Sequence, residues 1–133
     1  MVTTYGRWIH LVAAWLFVAG VVLQAFLAGQ AITQLGGTGN FEAHISFGYT
    51  AMGLLALAVL VAGLVGRVPR RQVGLSVGLF LLYIVQTSLP YAKASTPVIA
   101  ALHPANAMLL FALGIYIAVR ARRLAAGEQV ARS

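Results

Sequence analysis

The chain has no cysteine and almost no acid: Glu42 and Glu128 are its only carboxylate side chains. Without cysteine there are no disulfides, no iron–sulfur ligation and no covalent c-type haem attachment. Charge of either sign is scarce. Only 8% of the 133 residues are charged and 61% are hydrophobic, far from the roughly one-quarter charged balance of a soluble domain. The net charge of +7 is no nucleic-acid signal, because the basic residues sit in short clusters between apolar runs and not along one exposed face. The length suits a single domain, 1–133.

What is present is four apolar segments, at roughly 8–28, 41–65, 73–90 and 98–119. Each is long enough to cross a hydrocarbon core of about 30 Å as a helix. A soluble all-helical protein would need a polar face on each segment, and none has one. The expected fold is all-α, an integral membrane up-down four-helix bundle. The first segment, with the weak basic leader Arg7, reads as a retained helix and not as a cleaved signal peptide. Arg7, Arg67, Arg70, Arg71, Arg120, Arg122, Arg123 and Arg132 fall on one side of the four segments and only Lys93 on the other. The positive-inside rule then places both termini and the 66–72 loop in the cytoplasm, in a bacterial inner membrane. The arginines need no role beyond fixing topology and meeting anionic headgroups. Gly36-Gly37-Thr38-Gly39 makes the first outer loop flexible, and Asn40 suits the N-cap of the second helix.

Polar groups in hydrocarbon are costly and turn inward. Here they are His10, Gln24, Gln30, Ser46, Thr50, Ser76, Gln86, Thr87, His103 and Asn106, with His44 near the outer edge. Gln24 and Gln86 come late in outward-going helices, and His44 and His103 early in inward-going ones. All four fall at similar height in the outer leaflet. His10 alone sits near the inner side. Helices two and four lie on a diagonal of such a bundle, so His44 and His103 face each other across its centre. Four residues, about 400° of helix, bring a small residue one turn below each, Gly48 and Ala107. Two imidazoles above two gaps suit axial ligation of one haem b. The plainer reading is two interfacial histidines bonded to loop carbonyls. A bare zinc or copper ion would need more ligands, and only Asn106 or Glu42 could help.

A weak internal repeat supports a shared site. Gln24 precedes His44 by twenty positions and Gln86 precedes His103 by seventeen, so each half is a helical hairpin. The two glutamines can bond the ligand imidazoles or haem propionates, or serve as glue between helices. Asn106 can bond the backbone near Pro104, a ring substituent or its own helical turn. Lys93 can pair with a propionate or stay solvated. His10, without a partner at its depth, suits a structural interhelical bond. Tyr83 and Tyr91 flank the pocket, where tyrosines are interface anchors more often than redox relays. Gly74 and Gly78 allow close helix approach, within the bundle or between copies of the chain.

Leu23-Gln24-Ala25-Phe26-Leu27-Ala28-Gly29 followed by a loop and His44, and Gln86 followed by a loop and Leu102-His103, resemble one half of the haem A synthase family. That resemblance implies a four-helix bundle with a histidine pair at the outer ends of helices two and four. His103-Pro104-Ala105-Asn106-Ala107 is also similar to a pattern in small four-helix bacterial membrane proteins. Haem A synthases carry a glutamate three positions before the ligand histidine and an arginine after it. Here Glu42 is two positions before His44, and Ile45 follows it. With no second bundle either, haem hydroxylation is not implied.

The expectation is a membrane b-type cytochrome with one six-coordinate haem and one-electron transfer, in contact with lipid and with a quinone or a redox partner protein. Two alternatives stand beside it: a non-redox membrane subunit with structural histidines, and a haem-handling or quinone-linked oxidoreductase.

Overall fold

The computed structural model describes residues 2–127. Within them all regular structure is helical. The long helices are α1 (Val2–Ala31), α2 (Glu42–Tyr49) running into α3 (Ala51–Val65), α4 (Arg70–Ser88) and, after the single turn α5 (Pro97–Ala100), α6 (Leu102–Ala125). Short 3-10 segments, Thr33–Leu35 and Leu89–Ala94, carry the chain between them. Four spans, Thr3–Ala31, Glu42–Val65, Arg70–Ala94 and Pro97–Ala125, are long and apolar enough to cross a membrane. Only 11–33% of each span's most apolar stretch is buried within the molecule, so most of its apolar surface faces outward.

The helices run beyond their apolar stretches. α1 starts before Trp8, α4 starts at Arg70, and α6 continues to Ala125. Hydropathy marks where hydrocarbon ends, whereas a helix continues while its residues tolerate it, and arginine is a good helix former. Arg120 is therefore part of α6 and not of a tail. Arg132 and Glu128 lie outside the described residues.

The second span is one rod with a fault at Thr50. The Thr50 hydroxyl donates to the Ser46 carbonyl at 2.7 Å, a back-bond that bends helices. The Tyr83 hydroxyl from α4 reaches the carbonyls of Gly48 (3.1 Å) and Tyr49 (3.3 Å) at the same place. α3 closes in a Schellman turn: the Val68 N–H donates to Gly63 O and the Arg67 N–H to Leu64 O. Arg67 takes the left-handed position of that turn, φ 48°, where glycine is usual. At the start of α2 the N-cap is Phe41 and not the expected Asn40; Asn40, one position earlier, accepts the Glu42 N–H at 2.8 Å in an Asx turn.

α1 packs along α3 and α6, and α4 packs along the same two. The diagonals of the bundle are thus α1–α4 and α3–α6. Between them sit Ala13, Ala14, Phe17, Met52, Ala56, Val59, Leu79, Leu110, Ile117 and Ala118. Small residues let the rods approach. A Cβ on Gly6 would lie 2.6 Å from the Cα of Gly66, so α1 and the end of α3 touch backbone to backbone. Gly74 and Gly78 do nothing of the kind: a Cβ on either meets only open space. They bring no neighbour closer within the bundle.

Candidate functional site: a histidine pair across the bundle

His44, on the first turn of α2, places Nδ1 3.0 Å from the backbone carbonyl of Gln24 on α1. His103, at the start of α6, places Nδ1 3.0 Å from the backbone carbonyl of Gln86 on α4. A carbonyl only accepts, so Nδ1 is the protonated nitrogen in each ring and Nε2 is left as the base. The two rings face each other, with centroids 6.1 Å apart and planes at 70°. Phe41 stands edge-on to His44 at 6.3 Å. Both histidines are half-buried.

The surroundings of the two rings differ. His103 Nε2 accepts a hydrogen bond from the Gln86 side-chain amide at 3.1 Å. The Gln86 Oε1 accepts from Asn106 Nδ2 at 2.8 Å, and Asn106 also donates to Leu82 O at 3.0 Å. Asn106 thus bonds across to α4 and not to its own helix or to the backbone near Pro104. His44 Nε2 makes no hydrogen bond among the described residues. Gln24 has turned its amide nitrogen against the Gly48 Cα, where any Cβ would collide with it. Its Oε1 is enclosed and has no partner. Ala107 is half-buried one turn below His103. Lys93 is exposed on the 3-10 segment, and its ammonium makes no hydrogen bond among the described residues. A hollow of about 740 Å³ opens between the end of α1, the 32–41 loop and α2, lined among others by Leu27, Gln30, Gly37, Thr38, Glu42 and Ser46; neither histidine lines it.

This is a two-donor set. Among the described residues no three of His, Cys, Asp and Glu lie close enough to hold a bare metal ion, so Glu42 does not complete a zinc or copper site. A planar macrocycle supplies its own equatorial donors and asks the protein for two axial nitrogens only. A metal–imidazole bond of about 2 Å on each side, with about 1 Å from each nitrogen to its ring centre, spans about 6 Å. The ring separation of 6.1 Å suits such a group, and the space beside the Gly48 Cα holds only the Gln24 amide; the enclosed Gln24 Oε1 is an acceptor, which a haem, having no hydrogen to donate, does not satisfy.

The structure brings together His44 and His103, as expected from their level in the sequence, and of the two glutamine amides only that of Gln86 reaches a ring. Sequence reasoning missed that the main-chain carbonyls of Gln24 and Gln86 orient the rings. The structural interhelical bond expected of His10 is present at the arginine end, but its partners Gln72 and Arg120 were missed. There His10 Nδ1 donates to Val59 O at 2.8 Å, and His10 Nε2 accepts from Gln72 Nε2 at 3.1 Å. Gln72 further donates to Ile117 O and accepts from Arg120 Nε. Arg120 lies along the bundle side with its guanidinium over Tyr116, 5.6 Å from the ring centre. The signal was available: Gln72 sits two residues inside a helix opened by Pro69, at the depth of His10.

The sequence model of a family of unknown function, DUF6220, matches residues 24–93, just over half of the chain. The chain belongs to that family. The DUF6220 match takes in Gln24, His44, Gly48, Gln86 and Lys93 and ends before His103 and Asn106. No curated protein and no solved structure matches.

Proposed function

We propose that the chain is an integral membrane b-type cytochrome, an up-down four-helix bundle that holds one haem b between His44 and His103. The observation that carries this reading is the pair of Nδ1–carbonyl bonds, each 3.0 Å, that turn the two rings toward each other at 6.1 Å. Ligand histidines commonly donate their second ring nitrogen to a carbonyl, which fixes the tautomer and leaves the base nitrogen for the metal. The matched bonds Gln24–His44 and Gln86–His103 also support two hairpins related by a pseudo-twofold axis. The short motifs shared with half of a haem A synthase agree with that arrangement.

A haem held there by His44 and His103 would supply a one-electron couple. The chain's residues bind and orient it. His44 and His103 are the ligands, Gly48 and Ala107 leave space one turn away, Gln24, Gln86 and Asn106 are the polar side chains around the rings, and Lys93 is the loop cation for a propionate. The electron is exchanged with a membrane quinone or a redox partner protein, within the lipid bilayer. A second copy of the chain could pack on the open Gly74–Gly78 face.

Arg7, Arg67, Arg70, Arg71, Arg120, Arg122 and Arg123 gather at the end opposite the pair, which favours a cytoplasmic-membrane orientation with both termini inside. Cysteines placed at Gly37 and Gly127 test it: in intact cells a membrane-impermeant thiol reagent should label the first and spare the second, and the reverse would turn the molecule over. The second reading, a non-redox subunit in which the pair is only a polar lock, draws on the Gln86–His103 bond, which satisfies His103 without any ligand. The absorption spectrum after haem-replete expression separates the two: a red low-spin protein supports the cytochrome and a colourless one the subunit.

A further inference from the structure

Resting on the cytochrome reading, we infer that the two histidines are unequal: His44 is the permanent axial ligand, and His103 is an exchangeable one whose departure opens the iron to a neutral diatomic ligand such as carbon monoxide.

The inequality lies in what each Nε2 meets away from iron. For His103 the detached state is already provided for. Its Nε2 accepts the Gln86 amide N–H at 3.1 Å, and its Nδ1 still donates to Gln86 O at 3.0 Å. Asn106 holds the amide in this sense by donating to Gln86 Oε1 at 2.8 Å. Were the amide flipped, two donors would face each other at Asn106 and two acceptors at His103. Asn106 is itself buried and anchored on Leu82 O, so the clamp belongs to the α4–α6 contact and not to a free surface side chain.

His44 has no such refuge. The residue three positions after it is Phe47, where His103 has Asn106. Gln24 is not clamped, and its amide lies against Gly48 and not on the His44 ring. A detached His44 Nε2 therefore meets no protein donor among the described residues, and only the Nδ1 bond to Gln24 O holds the ring. Exchange at His103 breaks one iron–nitrogen bond and forms one hydrogen bond from Gln86. No proton or electron moves, because Nδ1 keeps its hydrogen throughout. The position vacated by His103 has a hydrogen-bond donor beside it, the Gln86 amide, a feature by which such pockets select small ligands.

One hydrogen bond of this kind shifts an equilibrium by about ten-fold. The full chain, purified and loaded with haemin, is reduced and mixed with carbon monoxide, and haem loss to excess apomyoglobin is timed in parallel. The parent should bind carbon monoxide saturably. His103→Ala should keep its haem and bind carbon monoxide about ten-fold faster, whereas His44→Ala should lose haem about ten-fold faster than His103→Ala. Gln86→Leu, which removes the competing donor, should slow carbon monoxide binding about ten-fold. Asn106→Ala leaves Gln86 in place and removes only its clamp, so it should act in the same direction by a smaller factor, even where Gln86→Leu fails to fold. Equal haem loss from the two histidine variants, with carbon monoxide binding unmoved by the Gln86 and Asn106 changes, overturns the inequality while leaving a cytochrome. Failure of the parent to take up haem at all defeats the cytochrome reading and the inference with it.

Discussion

His10 and His103 stand at opposite ends of the bundle and are held by the same pattern of bonds. Each gives its Nδ1 hydrogen to a backbone carbonyl, Val59 O or Gln86 O, and each accepts at Nε2 from a glutamine on α4, Gln72 or Gln86. Those glutamines are fourteen residues apart, close to four full turns, so they share one face of α4 about 20 Å apart along its axis. What surrounds the pattern differs. At the arginine end every polar atom of the crossing is matched: Gln72 spends both amide hydrogens on His10 and Ile117 O, and its oxygen receives Arg120. His10 is sealed at 0% exposure. At the other end a second histidine faces the first, its Nε2 is unused, and Gln24 Oε1 is orphaned. A completed network fixes helices and binds nothing more. An incomplete one, with an unused ring nitrogen on His44 facing the His103 ring, leaves bonding capacity over, and on the cytochrome reading that capacity is for iron.

The sharpest way to break the contrast is at Gln72. Gln72→Leu strands His10 Nε2 and removes the acceptor for Arg120, each a buried group left unsatisfied. The expected loss is about 2–3 kcal/mol of stability, read from thermal unfolding in detergent, with the haem spectrum of the folded fraction unchanged. An altered spectrum would mean that the two ends are not independent. Gly48→Leu probes the open end. Its side chain must evict the Gln24 amide and fill the space beside His44, so haem occupancy should fall about ten-fold, the effect of an overpacking cost of about 1–3 kcal/mol, while the helix still inserts. Full occupancy at pyridine haemochrome assay would remove the ring from that position. The smallest effect belongs to neither end's chemistry. Arg67→Gly relieves the left-handed residue that closes α3, and unfolding should show a gain of about 1 kcal/mol; no gain would mean that the guanidinium contributes as much as the turn costs.

Much of this was legible before any coordinates. Four apolar runs became four helices long and apolar enough to cross a membrane, because hydrocarbon thickness sets a length that sequence displays directly. The Gln–His spacing in both hairpins brought His44 and His103 to one level. What hydropathy could not show was where helices end. Arg120, read as a boundary charge, lies inside α6 and reaches back into the bundle along its own aliphatic stem. Gln72 was hidden for the same reason, directly after the pair Arg70-Arg71 and inside the stretch 66–72 taken as loop. The fault at Thr50 is a tertiary effect, made together by a threonine back-bond and the Tyr83 hydroxyl. That the Gln24 and Gln86 carbonyls, and not their amides, hold Nδ1 was beyond reach, because residue type carries no information about which main-chain acceptor a ring will find.

The central claim is the axial pair, and the absorption spectrum of His44→Ala, His103→Ala and His10→Ala, prepared side by side with the parent under haem-replete expression, tests it most directly. The account predicts a low-spin parent, loss of the low-spin bands in the first two variants through a high-spin product or an empty protein, and an unchanged spectrum in His10→Ala. Low-spin bands that survive His44→Ala and vanish in His10→Ala would move the haem to the arginine end, and four colourless proteins would contradict the cytochrome altogether.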